Sequence, residues 1–95
     1  MDEIIIYKYL EELRDKYQRE ENSFSLPVYD TISVEGKKYD RNIWLEECQG
    51  NKLVIFKLES KALIGSKNYC LGLEVSNNGT SKMLTNENLW EIGIP

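Results

Sequence analysis

Leu53-Val54-Ile55-Phe56-Lys57-Leu58 is the longest nearly unbroken apolar run in the chain, and it is rich in branched and aromatic residues. A run of this kind, bounded by turn residues, reads as a buried strand. Gln49-Gly50-Asn51-Lys52 supplies the turn before it, with Gly50-Asn51 leading into the strand. Val54, Phe56 and Leu58 fall on one side, and Leu53, Ile55, Lys57 and Glu59 on the other.

Strand candidates flank this run on both sides. Upstream, Val28 to Val34 places Val28, Ile32 and Val34 on one face, and Glu35-Gly36-Lys37 forms a tight turn. The returning strand, about Lys38 to Cys48, sets Tyr39, Ile43 and Leu45 against Trp44, Glu46 and Cys48. Pro27 draws Leu26 into extended geometry ahead of these strands. Downstream, Lys61 to Ser66 reads as a connector with two apolar anchors. Asn68 to Ser76 then alternates cleanly, with Tyr69, Leu71, Leu73 and Val75 on one side. Asn77-Asn78-Gly79 is a hairpin turn, and residues 80–84 form a last short strand.

Helices bracket the strands. Residues 2–21 carry Ile6, Tyr9, Leu10, Leu13 and Tyr17 as one apolar stripe. Asp2 and Glu3 suit the positive end of the helix dipole, whereas Glu20 and Glu21 oppose its negative end and predict a stop near Asn22. Thr85 is an N-cap for a final helix, Asn86 to Ile92, with Gly93 after it. Consecutive strands with short links predict an antiparallel meander. The expected fold is therefore α+β: one domain over residues 1–95, with a long N-terminal amphipathic helix on a four- or five-stranded, mainly antiparallel sheet and a short C-terminal helix.

Composition bounds the function. The chain has 95 residues, 41% of them apolar and 29% charged, in keeping with a folded domain. No apolar run reaches the ~18 residues of a membrane span. Ile4-Ile5-Ile6 is short for a signal segment and follows acids rather than bases, so a cytoplasmic protein is expected. A net charge of −4 disfavours nucleic acid as a general partner. There is no histidine, which removes Ser-His-Asp and Cys-His nucleophiles, HExxH sites and histidine bases. Cys48 and Cys70 make no CxxC pair, and two buried thiols are expected rather than a disulfide. No catalytic set, metal site or cofactor is expected.

Asp40, followed nineteen residues later by Glu59-Ser60-Lys61, resembles the core of the PD-(D/E)xK nuclease group. The resemblance implies that the two acids hold a divalent metal while the lysine helps activate water, with Glu12 as a further acid. The chain departs from the pattern in having no Pro before Asp40, no clear helix after Lys61 and no basic stripe. Lys37, Lys38 and Arg41 are the local basic cluster, suited to a phosphate or to a solvated hairpin tip.

The sheet face away from the long helix would hold Tyr29, Trp44, Cys70, Leu53 and Ile55. Leu89, Trp90 and Ile92 of the last helix are the residues available to cover it. Aromatic surface beyond that cover would meet a partner. The expected function is a small acidic protein-binding module of inhibitor or immunity type, such as phages direct against host defences or bacteria against toxins. Its binding residues would be Trp44, Tyr29, Ile55 and Trp90, and its partner another protein or a second copy of itself. The alternatives are a small-ligand or nucleotide sequestering protein, for which Tyr29, Tyr39, Trp44 and Tyr69 offer stacking surfaces, and the minimal metal-dependent nuclease.

Overall fold

The computed structural model describes residues 2–20, 25–60, 67–76, 78–91 and 93, without the side chains of Asp2, Cys48 and Asn86. Its elements run α1 (Asp2–Arg19), β1 (Val28–Val34), β2 (Lys37–Cys48), β3 (Asn51–Ser60), β4 (Lys67–Val75), β5 (Ser81–Leu84) and α2 (Asn86–Glu91). The strands form one sheet in the order β1-β2-β3-β4-β5, each pair antiparallel. This is the α+β meander that the alternation predicts, with five strands. No helix is long and apolar enough to cross a membrane among the described residues.

Two tight turns set the register. Glu35 and Gly36 both have positive φ, 52° and 79°, as do Gln49 and Gly50, 52° and 83°. A two-residue hairpin of this hand requires left-handed backbone at both central positions, because only that twist matches the flanking strands. The second turn is therefore Gln49-Gly50 rather than Gly50-Asn51, and Asn51 already pairs with Cys48. Lys37 likewise belongs to β2, opposite Val34. At the third turn Gly79 has φ 87°. Ser76 N–H there donates to Thr80 O at 2.9 Å, and Thr80 N–H donates to Asn78 Oδ1 at 3.0 Å. The connector Lys61 to Ser66 lies outside the described residues.

α1 covers one face. Ile6, Leu10, Leu13 and Tyr17 pack on Tyr39, Ile43, Val54, Phe56, Leu58, Tyr69, Leu71 and Leu73. Tyr17 meets Phe56 and Tyr7 meets Tyr69 edge to face, with centroids 5.9 and 5.7 Å apart. Such pairs add roughly 0.5–1.5 kcal/mol beyond their buried area. Burial, and the electron-rich neighbours it brings, raises the Tyr7 hydroxyl above its ordinary pKa. Tyr9 sits at the border of the stripe, half-buried, where its hydroxyl accepts from Arg41 Nη1 at 2.8 Å. The helix stops at Arg19, short of residue 21, although Glu20 N–H still donates to Lys16 O at 2.8 Å. Leu45 has the parity of this face and shares a row with Val54 and Leu73, but it is half exposed.

α2 covers part of the opposite face. Leu53, Ile55, Cys70, Leu84 and Leu89 form a second, smaller core, against which Trp44 packs. Thr85 caps this helix as expected. Its Oγ1 accepts from Asn88 N–H at 3.2 Å, and Asn88 Oδ1 accepts from Thr85 N–H at 3.0 Å, a reciprocal cap. Of the three residues available for cover, Leu89 is fully buried and Trp90 is turned outward. Ile92 lies outside the described residues. The close seat of Leu89 depends on Gly72, where an added Cβ would stand 2.9 Å from Leu89 Cδ2 and 3.3 Å from Leu84 Cβ.

Two stability tests follow from these packings. Leu10, fully buried in the stripe, should cost ~2–5 kcal/mol as Leu10→Ala, a fall in Tm of at least about 10 °C for a domain of this size. An unchanged melt would mean that α1 does not pack on the sheet. Gly72→Ala should lower stability by about 1 kcal/mol through overpacking against Leu89, and the pair Gly72→Ala with Leu89→Ala should cost less than the two separately. Additive costs would show that Leu89 does not sit over Gly72.

Candidate protein-binding face

The face opposite α1 can be laid out row by row from the strand register. Trp44, Ile55, Gly72 and Leu84 form one row, and Tyr29, Asn42, Lys57 and Cys70 the next. Thr31, Asp40, Glu59 and Asn68 form a third, with Ser33 and Lys38 beyond it. Alternation puts all of them on the same side. The rows change character along the strands. The Trp44 row is apolar and lies under α2, while the Thr31 row is polar.

A helix of six residues does not reach across five strands. The side chains towards β1 are accordingly open. Tyr29 is 74% exposed, and Thr31 and Ser33 are exposed. Asp40, Asn42, Trp44, Lys57 and Glu59 are half-buried, each screened by its neighbours in the sheet. Thr31 Oγ1 donates to Asp40 Oδ1 at 3.2 Å, tying the edge strand to its neighbour within one row.

The four residues that the sequence nominates for binding occupy different situations. Trp44 is half-buried at the margin of the α2 core, with one part of its indole packed and the rest accessible. Tyr29 stands one row away on the edge strand. Trp90 is 73% exposed on α2. Ile55 pairs directly with Trp44 but is fully buried beneath α2, so it supports the face from below and offers no surface of its own.

Asp40 and Glu59 are Cα partners on β2 and β3, so the two acids of the nuclease-like pattern do face each other. Lys61 lies outside the described residues. Among the described residues no group of three or more His, Cys, Asp or Glu side chains could hold a metal ion. Glu12 is exposed on α1, across the sheet from this row. Cys70 is a buried thiol. Its strand register puts it opposite Lys57, whereas Cys48 is opposite Asn51 at the other end of β3. Burial raises the Cys70 pKa, and Lys57 only partly offsets that, which makes the thiol a poor nucleophile.

Two arginines hold positions that their sequence context does not announce. Arg41 is not part of a basic hairpin tip. It turns to the α1 side, where Nε and Nη2 donate to Asp30 Oδ1 and Oδ2 at 2.8 and 2.6 Å. The Asp30 hydrogen bond is the first cause of its raised pKa, and with Tyr9 as a further acceptor the group joins β1, β2 and α1. At its exposure the ion pair is worth at most about 1 kcal/mol, and its contribution is geometric. Arg14 on α1 is buried, and its Nη1 donates to Leu84 O at 3.4 Å. A buried arginine flanking an apolar stripe has no sequence signal, since only the end of β5 supplies its acceptor.

A cleft of about 220 Å³ runs beside α2, lined by Leu53, Glu74, Lys82, Leu84, Asn88 and Glu91 among others. That is smaller than the roughly 300–1,000 Å³ of most small-molecule sites. Comparison of the chain with protein-family models, curated proteins and solved structures returns no match.

Proposed function

We propose that the protein is a small acidic binding module of inhibitor or immunity type, acting in the cytoplasm, that engages another protein through the open half of the sheet face opposite α1. The observation that carries this reading is exposed aromatic surface on the α2 side of the molecule, Tyr29 where the cover falls short and Trp90 on the outside of α2 itself. Tyr29 and Trp90 are each nearly three-quarters exposed, and Trp44 is only half covered. Trp and Tyr are the side chains that most often dominate interface energetics, since each brings large area at low entropic cost. The polar rows beside them, Asn42, Asp40, Lys57 and Glu59, would form the rim that fixes orientation.

The test uses the exposure of the anchors. Tagged protein expressed in its native cell should recover a partner. Tyr29→Ala and Trp90→Ala should each leave stability within ~0.5 kcal/mol while weakening that capture at least tenfold for one or both. Trp44→Ala should weaken capture too, with a measurable drop in Tm from its packing on the α2 core. Capture unchanged in all three variants would remove this face from the interaction.

The nuclease reading has one observation in its favour, the direct opposition of Asp40 and Glu59. Incubation with single- and double-stranded DNA and RNA plus magnesium or manganese separates the two. The binding-module reading expects no cleavage. Cleavage that Glu59→Ala abolishes would replace it with metal-dependent hydrolysis.

A further inference from the structure

β1 is the long open edge of the sheet. Among the described residues, its seven, Val28-Tyr29-Asp30-Thr31-Ile32-Ser33-Val34, pair on one side only, with β2. The opposite edge, β5, has four residues, includes Lys82 and leads directly into α2. β1 has few of the usual defences of an edge strand, its one charge being Asp30, which is paired with Arg41 of its own chain. It contains no lysine and no proline, and its pairing with β2 is continuous, with no bulge.

The hairpin register tells which backbone groups are unspent. In a two-residue hairpin the flanking pair, here Val34 and Lys37, is a hydrogen-bonded pair, and such pairs alternate along the ladder. Val34, Ile32, Asp30 and Val28 therefore bond β2. The N–H and C=O groups of Tyr29, Thr31 and Ser33 point outward. The β2–β3 hairpin gives an independent check. Counting back from Cys48 and Asn51 assigns the even residues of β2 to β3, leaving its odd residues, Lys37 to Ile43, for β1.

We propose that β1 pairs antiparallel with β1 of a second copy of this chain, about a two-fold axis at Thr31, joining the two five-stranded sheets into one. This edge adjoins the face proposed for the partner and shares Tyr29 with it, while Trp44 and Trp90 lie away from the seam. The sequence of β1 is self-complementary in that register. Thr31 meets Thr31 of the second copy, and Tyr29 meets Ser33 of the second copy. Val28 faces Val34, and Asp30 faces Ile32. All seven residues are used, and the three outward-facing residues of each copy supply about six hydrogen bonds.

Charge tolerates this alignment and disfavours a neighbouring one. Both chains are acidic, but the one acid on β1 is already held by Arg41 of its own chain and meets an isoleucine across the seam. Shifting the register so that the axis falls on Asp30 would set two carboxylates directly opposite each other, which is destabilising. Lys38 adds an attraction. It is the cross-strand neighbour of Ser33, whose small side chain leaves room for the lysine to reach the exposed Tyr29 ring of the second copy. One strand pair buries less than the roughly 1,600 Å² of a standard complex, so the association is reversible and concentration-dependent.

Sedimentation velocity from about 10 µM to about 500 µM tests it, with amide exchange on the same samples. The expected result is a shift from one to two chain masses, with exchange at Thr31 slowing as concentration rises. Thr31→Pro removes an outward N–H that β2 does not use and should leave a monomer of near-parental fold. Thr31→Lys and Thr31→Glu set like charges face to face and should each weaken association about threefold or more, while their equimolar mixture restores it. Should Thr31→Pro fail to fold, the Lys/Glu pair decides. A parent that stays monomeric throughout, or a dimer that all three variants leave undiminished, overturns the proposal.

Discussion

Leu53, Val54, Ile55 and Phe56 of β3 are each no more than 1% exposed, so the central strand has water on neither face. Burial of that kind cannot be met by one helix. It requires a layer on each side of the sheet, and the order of elements follows from this need. α1 supplies the long layer over Val54, Phe56 and Leu58, and α2 supplies a short one over Leu53 and Ile55. Each fully buried aliphatic or aromatic side chain contributes about 1.5–3 kcal/mol relative to exposure. The strand that bridges both cores therefore couples their stabilities.

The inequality of the two layers gives the molecule its candidate binding surface. α1 has eighteen residues and lies along β3 and β4 with its core reaching β2, whereas α2 has six and stands over β4 and β5. The second face is correspondingly split. Its Trp44 row is apolar where α2 lies, and its Tyr29 and Thr31 rows are polar or aromatic where the sheet is uncovered. Gly72 belongs to the same arrangement. By omitting a side chain in the Trp44 row it lets α2 approach β4 closely, and Leu89 fills the space. α2 lies against β4 and β5, and Tyr29, Thr31 and Ser33 of β1 are exposed on its side of the sheet.

The edge strand shows the same economy of means. The twist-matched turn at Glu35-Gly36 fixes which amides of β1 face β2 and which face outward. Arg41, reaching from β2 to Asp30 on one side and to Tyr9 on the other, holds this edge against α1 and removes its only negative charge from play. What remains on the outside of β1 is a neutral, extended, self-matching row of backbone groups.

Period-two alternation in the sequence decided the parity of β1 to β4, because a one-residue slip would turn the whole buried set of Ile43, Phe56 and Leu71 towards water. The helix stripe, the Thr85 cap and the choice of Trp44 for the face away from α1 were legible for the same reason: each is a local pattern. The turn pair is Gln49-Gly50, one residue before the Gly50-Asn51 that the sequence suggests, since Gln gives no warning that it will adopt positive φ; the closing strands impose it. The burial of Ile55, the outward turn of Trp90, the engagement of Arg41 and the enclosure of Arg14 depend on where α1, α2 and the end of β5 come to lie. Those positions are set by contacts between residues far apart in the chain, and no spacing within a single element encodes them.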